Sequence, residues 1–239
     1  MKKHILLFFS ILLIVIKINV VKSFSMNTGF EIDPFSASEL DHKLAGINIK
    51  LITTPAKGEA IVQFDISKDG KVALLTKAFG RDLNHINIYS SSGFFLYAFR
   101  IYGSGIFQCE WDSEILNIYS VRGGLIFSVD DSGNVLELYE VKEKSTNRNY
   151  YNKLNNQSKQ FENYSFKMTN GSAFWDSFPG NKTKLIVSSD DGYTRIIYNS
   201  NPERAIRIIL IAVFVLFFLF VTIYVNNKRR RINNLDLEK

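Results

Sequence analysis

The chain has 239 residues, 46% of them hydrophobic and 14% aromatic, with 20 Phe and 11 Tyr. That is enough apolar material for a packed core, and it excludes a disordered tail. The net charge of +6 is unevenly placed: positions 24–204 carry 19 basic against 21 acidic residues, while the two ends together carry 10 basic and 2 acidic. A nucleic-acid binder concentrates Lys and Arg on its folded part, so that class is set aside and no nucleic acid is expected as a partner.

Residues 1–23 open with Lys2 and Lys3, followed by "ILLFFSILLIVI". A basic flank followed by about twelve apolar residues is the layout of an export signal, or of a retained N-terminal anchor. An exported β domain is then expected over 24–204. "GINIKLITT", at 46–54, reads as a lone strand, and two units of alternating apolar residues follow it. The first runs "VQFDISKDGKVALLT" and "HINIYSSSGFFLYAFRI"; the second runs "FQCEWDSEILNIYSV" and "GLIFSVDDSGNVLELYEV". "KLIVSSDDGYTRIIYN" is a partial third. Alternation broken by a Ser/Asp-Gly turn is a hairpin signature. Gly70, Gly93, Gly133 and Gly192 therefore stand where the chain needs positive φ.

Gly93 and Gly133 are about 40 residues apart, the repeat length of a four-stranded propeller blade. The expected fold class is all-β, a propeller-like meander of partial or irregular blades, with the strand at 46–54 closing a ring against the last unit; a curved meander or an irregular sandwich built from the same hairpins is the alternative. Between the second and third units lies an Asn-rich stretch in which Tyr150, Tyr151 and Leu154 keep helical spacing.

Near the C-terminus, 208–225 is 18 residues without a charge, "IILIAVFVLFFLFVTIYV". As a helix it reaches about 27 Å, so a transmembrane helix is expected over 205–225. Lys228, Arg229, Arg230 and Arg231 follow, and a positive flank of this kind is held on the cytoplasmic side. The expected topology is a single-pass cell-membrane protein with its bulk extracytoplasmic, residues 226–239 as a basic cytoplasmic tail, and the lipid bilayer as a partner.

"ISKDGKVALL", "INIYSSSGFFLYAF" and "CEWDSEILNIYSVR" resemble a family of uncharacterised single-span proteins of Gram-positive bacteria with an exported propeller-like region. The resemblance covers roughly 46–225. It implies a membrane-tethered β domain and carries no activity with it. "SSDDGYTR", at 188–195, is similar to the Ser-x-Asp-x-Gly-x-Thr-Trp box of sialidase blades, except that Arg195 replaces the final Trp. That box is a structural turn and speaks to fold only.

Candidate chemistry is sparse. No Gly-x-Ser-x-Gly motif occurs, and the His and Cys residues do not have zinc spacing, so no cofactor or metal is expected. Cys109 reads as a small buried residue on a strand, and His42 and His85 as surface or loop positions. Glu110 and Asp112, two apart on one strand, share a face. Such a pair can act as acid and base on a glycosidic bond, or it can simply be a solvated strand face. Phe94, Tyr102, Tyr150, Tyr151 and Trp175 are the candidates for an aromatic contact surface. Three functional readings are open: a non-enzymatic binding or scaffold domain with an envelope or membrane protein as partner, an envelope glycan hydrolase, and an accessory subunit of a membrane complex.

Overall fold

A computed structural model describes residues 26–78, 82–103, 105–170 and 182–237. The expected signal segment 1–23 and Trp175 lie outside the described residues. What is described is mostly β: 14 strands in three antiparallel sheets, with few helices. The strands are β1 (Ile32–Pro34), β2 (Asn48–Ile52), β3 (Ala60–Ile66), β4 (Val72–Lys77), β5 (Leu83–Tyr89), β6 (Phe95–Tyr102) and β7 (Phe107–Asp112). They continue with β8 (Ile115–Ser120), β9 (Leu125–Val129), β10 (Val135–Val141), β11 (Ser158–Phe161), β12 (Tyr164–Thr169), β13 (Lys184–Ser189) and β14 (Thr194–Asn199). The helices are α1 (Ala37–Gly46), α2 (Ser145–Leu154) and α3 (Asn201–Leu237).

One turn is used four times. In Ser67–Gly70, Ser90–Gly93, Asp130–Gly133 and Ser189–Gly192 the glycine N–H donates to the carbonyl three residues earlier, at 2.8–3.1 Å. The N–H of the first residue in each turn also donates to the carbonyl just after the glycine. This is a type I turn closed by a glycine bulge, and the four glycines have φ between 77° and 88°. At Gly70 crowding adds to the conformational demand: a Cβ there would meet that of Ser91 at 2.9 Å.

The sheet orders are β2-β6-β5-β4-β3, β1-β10-β9-β8-β7 and β11-β12-β13-β14. The third sheet is a meander, and in each of the other two a four-strand meander is extended by an earlier strand beside its last one. The first sheet is the middle layer, and this explains its sequence. Along β4, Ala73 and Leu75 join the core shared with the second sheet, while Val72 and Leu74 join the core shared with the third. Strands buried on both faces lose polar alternation and read as continuous apolar runs, as "VALL" does. The second sheet turns its other face to a third cluster made with Met26, Phe30 and Leu154.

The first and second sheets also meet edge to edge, where β3 passes β7. Gln63 acts there as a piece of strand: its Nε2 donates to the Cys109 carbonyl at 2.7 Å and its Oε1 accepts the Cys109 N–H at 2.8 Å. Asp65 Oδ2 accepts the Trp111 N–H at 2.7 Å, and its other oxygen takes Lys159 of β11 at 2.7 Å. A bulge in β3 between Ile61 and Gln63 aims these side chains.

Two expectations are corrected. The strand near 46–54 closes no ring: β2 pairs with β6, beside it in the same sheet, and not with the last unit. A neighbouring free edge within reach wins over a distant one, because the shorter loop costs less entropy to close. The expected transmembrane helix over 205–225 is overturned: among the described residues no helix is long and apolar enough to cross a membrane. Lys228, Arg229, Arg230 and Arg231 are on α3, with their side chains outside the described residues.

Replacing Gln63 with Ala leaves a buried N–H and C=O of Cys109 without partners, an expected cost of about 3 kcal/mol. Chemical denaturation of the variant should show the midpoint fall accordingly, and an unchanged midpoint would deny the edge contact its weight.

Candidate functional site

Along β7 to β10 alternate residues divide cleanly. Phe107, Cys109, Leu116, Ile118, Phe127, Val129 and Leu138 point into the shared core. Their neighbours form the outer face, and the register sets four polar ones in a row across four strands. Glu110 opposes Asn117, Asn117 opposes Ser128, and Ser128 opposes Glu137. Glu110, Asn117 and Ser128 are 7%, 0% and 0% exposed.

The cover over this row is the chain's own segment 26–30 together with α2. The Met26 N–H donates to Glu137 Oε2 at 2.7 Å, the Asn27 N–H to Asp112 Oδ2 at 2.9 Å, and Asn117 Nδ2 to the Asn27 carbonyl at 3.1 Å. The Thr28 hydroxyl donates to one Glu110 oxygen and the Tyr150 hydroxyl to the other. Asn147, 5% exposed, fastens the helix to the same segment: its Oδ1 accepts the Glu31 N–H at 2.7 Å, and its Nδ2 reaches the Glu31 and Lys142 carbonyls. Burial raises the Glu110 carboxyl above its ordinary range, against the lowering pull of the Thr28 and Tyr150 bonds. The Tyr150 phenol is pushed up as well, first by burial and then by its bond to Glu110.

Glu110 and Asp112 therefore share a face, but neither is presented to a substrate, because segment 27–28 uses both as anchors. The bland reading of a solvated strand face fails for Glu110, which is buried. Gln108 Oε1, Asn117 Oδ1 and Ser128 Oγ have no partner among the described residues. The cover thus matches part of the polar row and leaves part of it unmatched.

Beside the covered row the face opens into a groove of about 1000 Å³, between the β8–β9 turn, the end of β10 and α2. Tyr119 and Tyr151 line it, their ring centroids 6.3 Å apart and nearly perpendicular. Arg122, Arg148, Glu140, Glu143 and Asn152 border it with Lys142 and Lys144. Both lysines are already neutralised, Lys142 by Asp33 and Lys144 by Glu31. The bond from Lys144, ahead of that from Thr146, holds the Glu31 carboxyl below its usual value.

The aromatic candidates are not brought together. Phe94, 64% exposed, sits in the β5–β6 turn with the Arg195 guanidinium 5.0 Å from its ring centroid, while Tyr102 is 42% exposed at the end of β6. Tyr150 packs edge-on to Phe30, and Tyr151 alone of the described candidates lines the groove. Cys109 is buried, and burial raises its thiol far above the reactive range. Among the described residues no three His, Cys, Asp or Glu side chains converge on a metal position.

His85 corrects its expected surface position: it is 4% exposed on β5. Its Nδ1 lies 2.9 Å from Glu59 Oε2, which also accepts from Thr76 at 2.7 Å, and its Nε2 accepts from Arg100 Nε at 3.2 Å. These contacts place the proton on Nδ1. Tyr198 joins the cluster by bonding both backbone groups of Glu59. No sequence signal points to this cluster, because Glu59, His85 and Tyr198 are far apart in the chain and belong to no motif. The Nε2 that a catalytic histidine would turn toward a nucleophile is capped by Arg100, so the cluster ties the β3–β5 edge to β14.

Comparison with protein-family models, curated proteins and solved structures gave no match.

Because folding raises the Glu110 pKa, the folded state binds that proton more tightly than the unfolded one. Its contribution is fully present below the unfolded value and is lost as pH rises through the folded one. Glu110→Gln should therefore gain in melting temperature relative to the wild type as pH climbs from about 4 to about 8. A difference that stays flat, or falls, across that range would contradict the buried-acid assignment.

Proposed function

We propose that this chain is a membrane-associated, extracytoplasmic β domain that binds an envelope or membrane partner and carries out no reaction of its own. The observation that carries the reading is the contrast on one sheet face. The paired carboxylates Glu110 and Asp112 are consumed as internal anchors, while the groove beside them is wide and aromatic-lined, and Arg122, Arg148, Glu140 and Glu143 border it with no hydrogen bond or ion pair among the described residues. The same engagement counts against a glycan hydrolase, whose acid and base must face the scissile bond.

Lipid contact is supported by α3. Phe214, Leu216 and Phe220 are 63%, 64% and 67% exposed, and other apolar residues all around the helix are exposed as well. The Thr222 hydroxyl bonds back to the Phe218 carbonyl at 2.8 Å and needs no water. The apolar, Lys-flanked N-terminal segment supports export of the β domain.

Installing a photoreactive benzoyl-phenylalanine in place of Asn152, at the groove, should give a discrete crosslinked adduct on irradiating intact cells. The same group in place of Asp131, on a distant turn, should give none. Equal yields at both positions, or none at Asn152, would overturn the assignment of the groove as the binding surface.

A further inference from the structure

The chemistry of the groove narrows what it holds. Tyr119 and Tyr151 line it together with two guanidiniums, Arg122 and Arg148, and two carboxylates, Glu140 and Glu143. None of these four charged side chains has a hydrogen bond or ion pair among the described residues, while the adjoining lysines are spoken for. The uncommitted charge is balanced, so a polyanion would meet two carboxylates and a polycation two guanidiniums, each desolvated at a cost.

An apolar occupant fares no better, because it would bury four charges without pairing them. The ligand that suits all six groups is uncharged overall, rich in closely spaced hydroxyls or amides, and has flat C–H surfaces. Arg and Glu are planar groups that present two parallel donors or acceptors, a match for neighbouring hydroxyls on a ring. A tyrosine ring offers an apolar body with a polar tip, a match for the C–H face of the same ring. At about 1000 Å³ the groove lies at the upper end of small-ligand sites, and it is an open trough, so several linked units fit better than one.

From this we infer that the groove over Tyr119 and Tyr151 is a binding site for a neutral oligosaccharide, held by Arg122, Arg148, Glu140 and Glu143. The inference rests on the binding reading above and names the partner's chemical class. It needs no chemistry on the sugar: recognition is by hydrogen bonds and stacking alone. It also assigns a purpose to the clamp at Asn147, which fixes α2 against β10 and so fixes the distance between the two walls.

Titration calorimetry on the full chain in detergent micelles tests it, using three probes: the tetrasaccharide of N-acetylglucosamine, tetragalacturonic acid as an anionic sugar, and inorganic polyphosphate. The neutral tetrasaccharide should bind. Arg148→Ala and Glu143→Gln should each weaken it at least tenfold while leaving the melting temperature unchanged, since neither side chain makes a bond in the fold. Preference for either anionic probe, or neutral binding indifferent to both substitutions, overturns the inference. If no sugar binds while the Asn152 adduct still forms in cells, the saccharide class is wrong and the binding reading stands.

Discussion

The architecture depends on a side chain standing in for a strand. β7 is the edge of its sheet, and its inward backbone groups at Cys109 and Trp111 have no neighbouring ladder to satisfy them. Buried backbone polar groups without partners are too costly to tolerate. Gln63, whose amide offers one donor and one acceptor in the geometry of a peptide, supplies both bonds to Cys109, and Asp65 supplies the bond to Trp111. Two meanders that share no backbone ladder between β3 and β7 are thereby fixed edge to edge. Lys159 brings the third sheet to the same Asp65.

That junction leaves the opposite face of the second sheet to be covered by other parts of the chain. With its inner face committed to the core, the sheet presents Glu110, Asn117, Ser128 and Glu137 outward, and the chain covers them with its own segment 26–30. Burial of a carboxyl under this cover raises its proton affinity, and two hydroxyl donors oppose the shift without cancelling it. The cover holds α2 in place, and α2 is one wall of the open groove. The polar row and the groove are therefore one construction: the first anchors what shapes the second.

Part of this is legible in the residues themselves. The recurring Ser/Asp-x-x-Gly that precedes a second apolar run marks the turn with a glycine bulge, because few other residues accept the backbone it requires. "VALL" reads in sequence as part of an alternating unit, and only the packing of a sheet on each side shows that both its faces are buried. The shared face of Glu110 and Asp112 follows from period-two geometry alone. The partner of "GINIKLITT" is not legible, since alternation says that a strand forms and not which edge it joins. A count of apolar residues near the C-terminus points to a membrane span, yet among the described residues no helix is long and apolar enough to cross a membrane. His85 escapes a correct placement because one histidine between polar and apolar neighbours has the same sequence appearance at a surface as in a buried cluster.

The local grammar of this protein comes from the chain alone: where strands begin and turn, which residues share a face, and where charge concentrates. These follow from φ, ψ preferences and side-chain period, which act over a few residues. Long-range packing is what makes Gln63 serve as a strand, Glu110 an anchor, and Tyr119 and Tyr151 part of the lining of a groove. Each depends on groups far apart in the chain meeting within hydrogen-bond or van der Waals reach, and which distant surfaces meet is set by the packing of whole sheets, on which a local pattern is silent.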